Sequence, residues 1–513
     1  MTRVRTIARA LLAVACLAVS CTKAEAGLEF SKESLEMDFT GGDTSFEVTS
    51  ESGITAESDA SWCIAGLGTR VAGMSTVTLR VYFNTDSQDR TARITVTCGE
   101  QKKTLTLTQG GLSIDKATVD AVTPAQLAAE MGMGWNLGNQ MDSYANGVAS
   151  ETVWGNGKAT QATFDALDAA GFKTVRIPVT WLGQFKDDGH YTINTSWLNR
   201  VAQIAGYAKN AGLTAIVNMH HEDTRDQKAD GTQLSWLDIL AASKSEEKNA
   251  EIKNQLAQMW YQIATKFKDE GDWLIFEAVN EIQDGGWGWG ENLKDGGKQY
   301  KCLNEWMQTF VKAVRAAGGE NAKRWLAVTG YSTNHDLTMA NLTFPTDYTS
   351  ANRLLVDIHF YDPYDYTLGA TYSEWGHTGT DKANWGDEDN VTTVFAKLKS
   401  KFVDKGYPVY LGETGCSFRA TQRAKDFHLY YLEYVYKAAR EAGLIPILWD
   451  NGATGTGMES GGYLNHATGA YIERDSDQGA YSKAAVQAMY KGTYTEDPSY
   501  TLETVYNSAP YAE

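Results

Sequence analysis

The chain has 513 residues with 46 Lys plus Arg against 64 Asp plus Glu, a formal net charge of −18 that excludes a basic nucleic-acid footprint. At about 100 to 200 residues per domain the length suits two to four domains, or one large barrel with a smaller module, and a chain that is 42% hydrophobic with 15 Trp, 26 Tyr and 48 Gly is globular and not disordered. An aromatic share of 11% suits sugar-stacking surfaces and core filling equally.

The first residues read as an export signal. Arg3, Arg5 and Arg9 precede a small apolar run from Ala10 to Ser20, and polar Thr22 and Lys23 follow. The run is too short to span a bilayer. Leu17-Ala18-Val19-Ser20-Cys21 resembles a bacterial lipoprotein box, so residues 1–20 are expected to be removed and Cys21 lipidated, with cleavage after Ala26 as the alternative. Losing three Arg and no acid deepens the charge to −21. Any membrane attachment is through this N-terminal lipid. The expected location is the outer membrane or cell surface, with the periplasm or the medium as alternatives. Cys63, Cys98, Cys302 and Cys416 are too few and too scattered for a disulfide framework and read as buried thiols, with a Cys63–Cys98 bridge left open.

Residues 28–110 carry short β segments divided by turns: 45–49, 77–84, 92–98 and 104–109. Arg93-Ile94-Thr95-Val96-Thr97 and Thr104-Leu105-Thr106-Leu107-Thr108 alternate at period two, with Gly99-Glu100 as the turn between them. Such a pattern predicts a small immunoglobulin-like sandwich. Ala60-Ser61-Trp62-Cys63, Asn84, Arg90, Ile94-Thr95-Val96 and Leu107-Thr108-Gln109 resemble the BACON domain that precedes Bacteroidetes carbohydrate-active proteins. A spacer role is preferred here to glycan binding, because Trp62 lies in an apolar stretch and reads as core.

From residue 120 to 513 strand-like and helix-like segments alternate. Strands are expected at 134–138, 174–178, 214–219, 273–279, 325–329, 354–359, 409–411 and 445–449. Helical spacing places Leu256, Met259, Trp260, Ile263 and Phe267 on one face, and Phe310, Val311 and Val314 on another. Eight strands with crossover helices predict an α/β fold, a (β/α)₈ barrel; an open doubly wound sheet is the alternative. No phosphate-binding glycine loop follows any strand, so nucleotide chemistry has no support.

Barrel chemistry gathers where strands end. Those ends carry Arg176, His220-His221-Glu222, Asn280-Glu281, His359, Tyr361, Glu413 and Trp449. Glu281 and Glu413 come from different strands and can face each other across the barrel mouth, the pairing that glycoside hydrolysis requires.

Taken in order, Gly134-Trp135-Asn136-Leu137-Gly138-Asn139, Arg176-Ile177-Pro178-Val179-Thr180-Trp181, Asn218-Met219-His220-His221-Glu222, Phe276-Glu277-Ala278-Val279-Asn280-Glu281, His359-Phe360-Tyr361, Gly412-Glu413-Thr414-Gly415 and Trp449-Asp450-Asn451-Gly452 resemble glycoside hydrolase family 5, in its endoglucanase and xyloglucanase branch. The resemblance implies Glu281 as general acid and then base, with a pKa above that of a free carboxyl, and Glu413 as nucleophile. Arg176 and Tyr361 would donate to Glu413 and keep it ionised. Asn280 would bond the sugar 2-hydroxyl, His359 would lie near Glu281, His220 and His221 would bind hydroxyls before the cleavage point, and Trp449 would be the sugar's floor. Asn136 and Trp181 join this set of substrate-binding and catalytic-support residues.

A metal at His220-His221-Glu222 is rejected, because neighbours on a strand point to opposite faces and no H-E-x-x-H helix is present. Trp287 and Trp289, on a glycine-rich segment taken as flexible, are expected to wall the subsites after cleavage, with Trp236, Trp375 and Trp385 as lesser candidates. The resulting expectation is a retaining endo-β-1,4-glucanase acting on plant cell-wall β-glucan, above all xyloglucan, without metal or cofactor and as a monomer. The rivals are a family 5 enzyme acting on cellulose, mixed-linkage glucan or mannan, and a non-catalytic glycan-binding lipoprotein.

Overall fold

The computed structural model describes residues 27–228 and 230–511. The signal segment and Cys21 lie outside the described residues. The chain divides into two units, one of Thr44–Leu79, Ala92–Leu107 and the residues up to Leu35, the other of Glu36–Asp43, Arg80–Thr91 and Thr108 onward. No helix among the described residues is long and apolar enough to cross a membrane.

The N-terminal region holds β1 (Glu29–Phe30), β2 (Ser34–Met37), β3 (Gly42–Thr49), β4 (Thr55–Ser58), β5 (Cys63–Val71), β6 (Met74–Val81), β7 (Arg90–Cys98) and β8 (Gln101–Gln109). They form two four-stranded sheets, ordered β1-β3-β6-β5 and β2-β8-β7-β4. Period two decides the buried face: Ala92, Ile94 and Val96 of β7 and Leu105 and Leu107 of β8 are buried, with polar neighbours outward. Gly99, with φ 59°, makes the β7–β8 turn at the expected place. The sequence pattern missed β1, β2, β4 and β5. The first, second and fourth are short, and β5 contains Gly66 and Gly68 and is exposed from Leu67 onward, so it carries no alternation. Trp62 is half-buried instead of core, which removes the reason given for preferring a spacer. Cys98 is a free thiol with Sγ 3.2 Å from Ser52 Oγ, so there is no Cys63–Cys98 bridge.

The rest is a closed parallel barrel of β9 (Gly134–Asn136), β12 (Thr174–Ile177), β13 (Thr214–Val217), β14 (Leu274–Glu277), β15 (Leu326–Thr329), β16 (Leu354–Phe360), β17 (Val409–Thr414) and β18 (Ile445–Leu448); a small hairpin, β10 (Tyr144–Ala145) and β11 (Val148–Ala149), follows the first of them. All eight expected strands are present. Several stop short of the expected ends, β13 at Val217 and β14 at Glu277, because the backbone leaves the ladder there to carry the cleft residues. Every residue of these eight strands is buried, as in parallel strands covered on both faces.

Local signals set the outer helices. The 246–266 helix starts at Ser245, whose side chain accepts from Lys248 N, has Glu246 and Glu247 in its first turn and Lys266 in its last, and buries Leu256, Met259, Trp260 and Ile263. The 298–316 helix buries Phe310, Val311 and Val314 as spaced.

Inside the barrel, side chains step upward in pairs. Ile216, Ile275, Ala327, Leu355, Tyr410, Ile445 and Ile447 pack with Leu127, Ala128 and Met131 of the preceding 124–131 helix. Two residues beyond Ile275 and Leu355 come Glu277 and Asp357; with Arg176 they form a buried ionic layer above the apolar one. Arg176 Nε and Nη2 each donate to Glu277 at 2.7 Å, and Asn218 and Tyr410 also donate to that carboxylate. Removing one member of a buried pair strands the other charge. Glu277→Gln is therefore expected to lower barrel stability by about 3 to 5 kcal/mol, read as a lower urea midpoint of the barrel transition; an unchanged midpoint would contradict this account of the layer.

Candidate active site

A cleft of about 680 Å³ opens where the strands end, lined by His220, His221, Asn280, Glu281, His359, Tyr361, Glu413, Trp449 and Trp287 among others. Two carboxylates dominate it. Glu281 follows β14 with its side chain 24% exposed; Glu413 lies in β17 at 8%. His359 sits between them, its Nδ1 2.6 Å from Glu281 Oε1 and 3.6 Å from Glu413 Oε2, and the facing ligand atoms of all three residues lie within 4.8 Å of one another.

A backbone irregularity aims Glu413. Ile358 pairs with Leu411 but His359 with Glu413, so Gly412 is an extra residue, a bulge. A Cβ at 412 would stand 2.1 Å from Asp357 Oδ1, so only glycine fits. Arg176 Nη1 donates to Glu413 Oε1 at 2.9 Å and Tyr361 OH to Oε2 at 3.2 Å, as expected. The electrostatic expectation needs correction. Burial is the largest influence on Glu413 and lifts its carboxyl above the ordinary range; His359 and Arg176 oppose the lift without cancelling it, and Glu281 adds to it. For His359, burial disfavours the charged ring, but Glu413, Asp357 and Glu281 outweigh it and hold the imidazolium well above the usual value.

The histidine pair is split by its surroundings. Burial, then His221, Arg176 and His359, keeps His220 well below the usual range, a neutral ring. Its Nδ1 lies 3.1 Å from Asn218 Nδ2, an amide donor, which puts the ring proton on Nε2, 3.8 Å from Glu413 Oε1. For His221, burial opposes charge but Asp142, 3.6 Å away, raises its pKa. The Trp449 and His220 rings are parallel at 5.9 Å. Asn280 lines the cleft while its Oδ1 accepts from Arg176 Nη2 at 2.7 Å.

Other expected residues lie elsewhere. Asn136 is fully buried below the cleft, where its Nδ2 donates to Gly412 O and Leu448 O and its Oδ1 accepts from Arg176; it braces the nucleophile strand and cannot meet a sugar. Trp181 is wholly buried with Nε1 on Asn218 O, and Trp236 and Trp375 are buried too. Trp385 is exposed but does not line the cleft. Trp287 does line it and is 60% exposed, whereas Trp289, at 80%, stands outside the lining. Their segment is pinned and not loose: Gln283 Oε1 accepts from Gly285 N and Trp287 N, Asp284 from Gly286 N, and Asn292 Nδ2 donates to Gly288 O.

The strand-alternation argument against a metal fails, because β13 has ended before His220 and both rings turn the same way, 4.5 Å apart. Asp142, His220 and His221 form one group with metal-ligating atoms within 4.8 Å, and Glu281, His359 and Glu413 another. Glu222 is not a ligand: it accepts from Trp181 N and Trp236 Nε1, and burial pushes its carboxyl up to about 7.

Three features escaped the sequence reading. Glu277 stood inside an apolar strand, a signal that was available. Trp154, 41% exposed, packs at 5.5 Å from His221 and 5.4 Å from Tyr144, and its Nε1 donates to Tyr144 O, which locks an outward-facing platform beside the cleft. His335, held by Asp362 at 3.2 Å, lines the cleft wall with Asn334 and Ser332. The hairpin lies too far beyond β9 to be found by reading strand ends, but Ser332 is as close to the end of β15 as Asn280 is to that of β14, so the wall carried a signal that was available.

The description "Cellulase (glycosyl hydrolase family 5)" matches residues 139–455, and the BACON description, "Putative binding domain, N-terminal", matches 51–110. Endoglucanase A of Paenibacillus barcinonensis is 37% identical over 355 residues, 66% of this chain and 85% of that protein. The xyloglucan-specific endo-β-1,4-glucanase BoGH5A of Bacteroides ovatus is 30% identical over 468 residues, 85% of this chain and 89% of its own length. A solved GH5-4 broad-specificity endoglucanase from Bacteroides salanitronis is 52% identical with a TM-score of 0.69, covering 75% of this chain and 98% of that one. The chain belongs to glycoside hydrolase family 5, the cellulase family, with a BACON domain in front of its (β/α)₈ barrel.

Proposed function

We propose that the chain is a retaining endo-β-1,4-glucanase that cuts xyloglucan, exported and lipidated at Cys21. One observation carries the mechanism: Glu281 and Glu413 present carboxylate oxygens within 4.8 Å of each other. Retaining enzymes place the two carboxyls about 5 to 5.5 Å apart, whereas inverting enzymes need about 6.5 to 9.5 Å to seat a water.

With a sugar on Trp449, the Glu413 carboxylate attacks the anomeric carbon while Glu281 gives its proton to the departing glycosidic oxygen. His359 Nδ1, 2.6 Å from Glu281 Oε1, fixes the orientation of that carboxyl toward the scissile bond. The ester on Glu413 is then cut by a water whose proton returns to Glu281. Arg176 takes up the charge that reappears on Glu413, and Asn280, oriented by the same guanidinium, meets the 2-hydroxyl. Trp287 in the lining and Trp154 beside His221 add aromatic surface beyond Trp449, which suits an internal cut.

Xyloglucan is supported by the B. ovatus relative, whose match spans both modules. The B. salanitronis structure favours a second reading, activity on several β-glucans. Initial rates on xyloglucan, carboxymethylcellulose, lichenan and mannan separate them. Hydrolysis of xyloglucan is expected, and its absence on a panel with other activity removes the substrate assignment.

Glu281→Gln is expected to lower kcat by about 10² to 10⁴ with oligosaccharide binding retained, and Glu413→Gln to abolish turnover; near-parent activity in both refutes the mechanism. The first anomer seen by NMR should be β, and an α product would mean inversion. Trp154→Ala is expected to weaken longer oligosaccharides by about 5- to 10-fold, a ring contact of order 1 kcal/mol, while cellobiosyl substrates change little; equal losses on both would place Trp154 outside the binding surface.

A further inference from the structure

Asp357 has no part in the chemistry above, yet it is a fully buried carboxylate two residues below His359 on the same strand face. A charge in such a place is costly unless it is compensated. Its Oδ1 accepts from Gly412 N at 3.1 Å, the bulged residue that precedes Glu413. Its Oδ2 stands 3.5 Å from His359 Nε2. Neither Asp357 Oδ2 nor His359 Nε2 has another hydrogen-bond partner among the described residues. Buried polar atoms without partners are rare, and here two of them face each other.

We propose that Asp357 is a positioning residue that couples the two catalytic carboxylates: Oδ1 holds the Gly412 bulge that aims Glu413, and Oδ2 holds the imidazolium of His359, whose other nitrogen rests on Glu281. The proposal builds on the roles assigned to Glu281 and Glu413. It makes a carboxylate–imidazolium–carboxylate line through the barrel, from Asp357 by His359 to Glu281, with the proton on Nδ1 available to Glu281 and the proton on Nε2 fixed by Asp357.

The surrounding charges agree. His359 faces Glu281 beyond β14, Glu413 on β17, Asp357 on its own strand and His220 beyond β13. Asp357 faces Glu277, His359 and Arg176; burial and Glu277 lift its carboxyl while His359 and Arg176 act against the lift. Asp357 is one of three carboxylates that keep His359 charged, so removing it lowers the pH at which the ring gives up its proton.

Asp357→Asn tests this in the full chain, since Asn keeps an oxygen for Gly412 N and deletes the charge facing His359. The expected result is a fall in kcat of roughly 10- to 100-fold with KM within about 2-fold, as for a misplaced catalytic group, and a basic limb of the kcat/KM profile displaced to lower pH. A merely structural role would not move that limb; a variant with the parent's kcat and limb overturns the proposal. ¹⁵N-histidine NMR reads the same coupling without turnover. In the parent, His359 should carry protons on both nitrogens at pH 7.5, above the ordinary histidine value of about 6.5, and the variant should lose one at lower pH. A parent His359 singly protonated at pH 7.5 overturns the proposal even if the variant does not fold. Should Glu281→Gln and Glu413→Gln stay active while the NMR shift appears, the catalytic assignment fails and the coupling stands.

Discussion

Arg176 is the guanidinium on which the site hangs. It emerges from β12 inside the barrel, wholly buried, and its nitrogens reach Glu277, Glu413, Asn280 and Asn136 at 2.7 to 3.1 Å. An always-charged planar fork held in low dielectric must satisfy its donors locally, and here the acceptors come from three strands, β9, β14 and β17, and the segment just past β14. The pair with Glu277 neutralises it, which leaves its outer edge to orient a second carboxylate and an amide at the cleft floor. The site therefore inherits its geometry from an ion pair one layer below any substrate.

That arrangement has an electrostatic consequence. Glu277, Asp357, Glu413 and Glu281 crowd around one guanidinium and one imidazole. Depth separates their roles. Glu277, enclosed by Arg176, Asn218 and Tyr410, is held below the ordinary carboxylate range despite burial, whereas Glu413, nearer the surface but still desolvated, is lifted. Glu281 is the most exposed of the four. His359 takes its charge from these acids and not from solvent, and so belongs to the proton inventory of the pair.

Much of this was legible in the residue order. The barrel strands were found because short apolar runs recur with amphipathic helices between them, and Arg176, Asn280, Glu281, His359, Tyr361, Glu413 and Trp449 because barrel chemistry sits where those runs end. The errors share one cause. Trp181 stands in the same motif as Arg176 but sits in the core, while Asn136 supports the site from the bracing layer and not from the cleft. His220 and His221 were assigned opposite faces by a strand rule that stops applying once the backbone leaves the ladder. Trp154 and Trp287 depend on the hairpin and the pinned loop that carry them, and no period marks either.

The sequence by itself determined the fold class, the order of the strands and which residue types reach the barrel mouth, because periodicity and burial act along the chain. Only the tertiary structure decided that Glu281 and Glu413 lie within one sugar's reach, that Gly412 bulges to aim one of them, and that Asp357 waits beneath His359. Distances between strands, desolvation and the field of neighbouring charges arise only when remote segments close around a common interior.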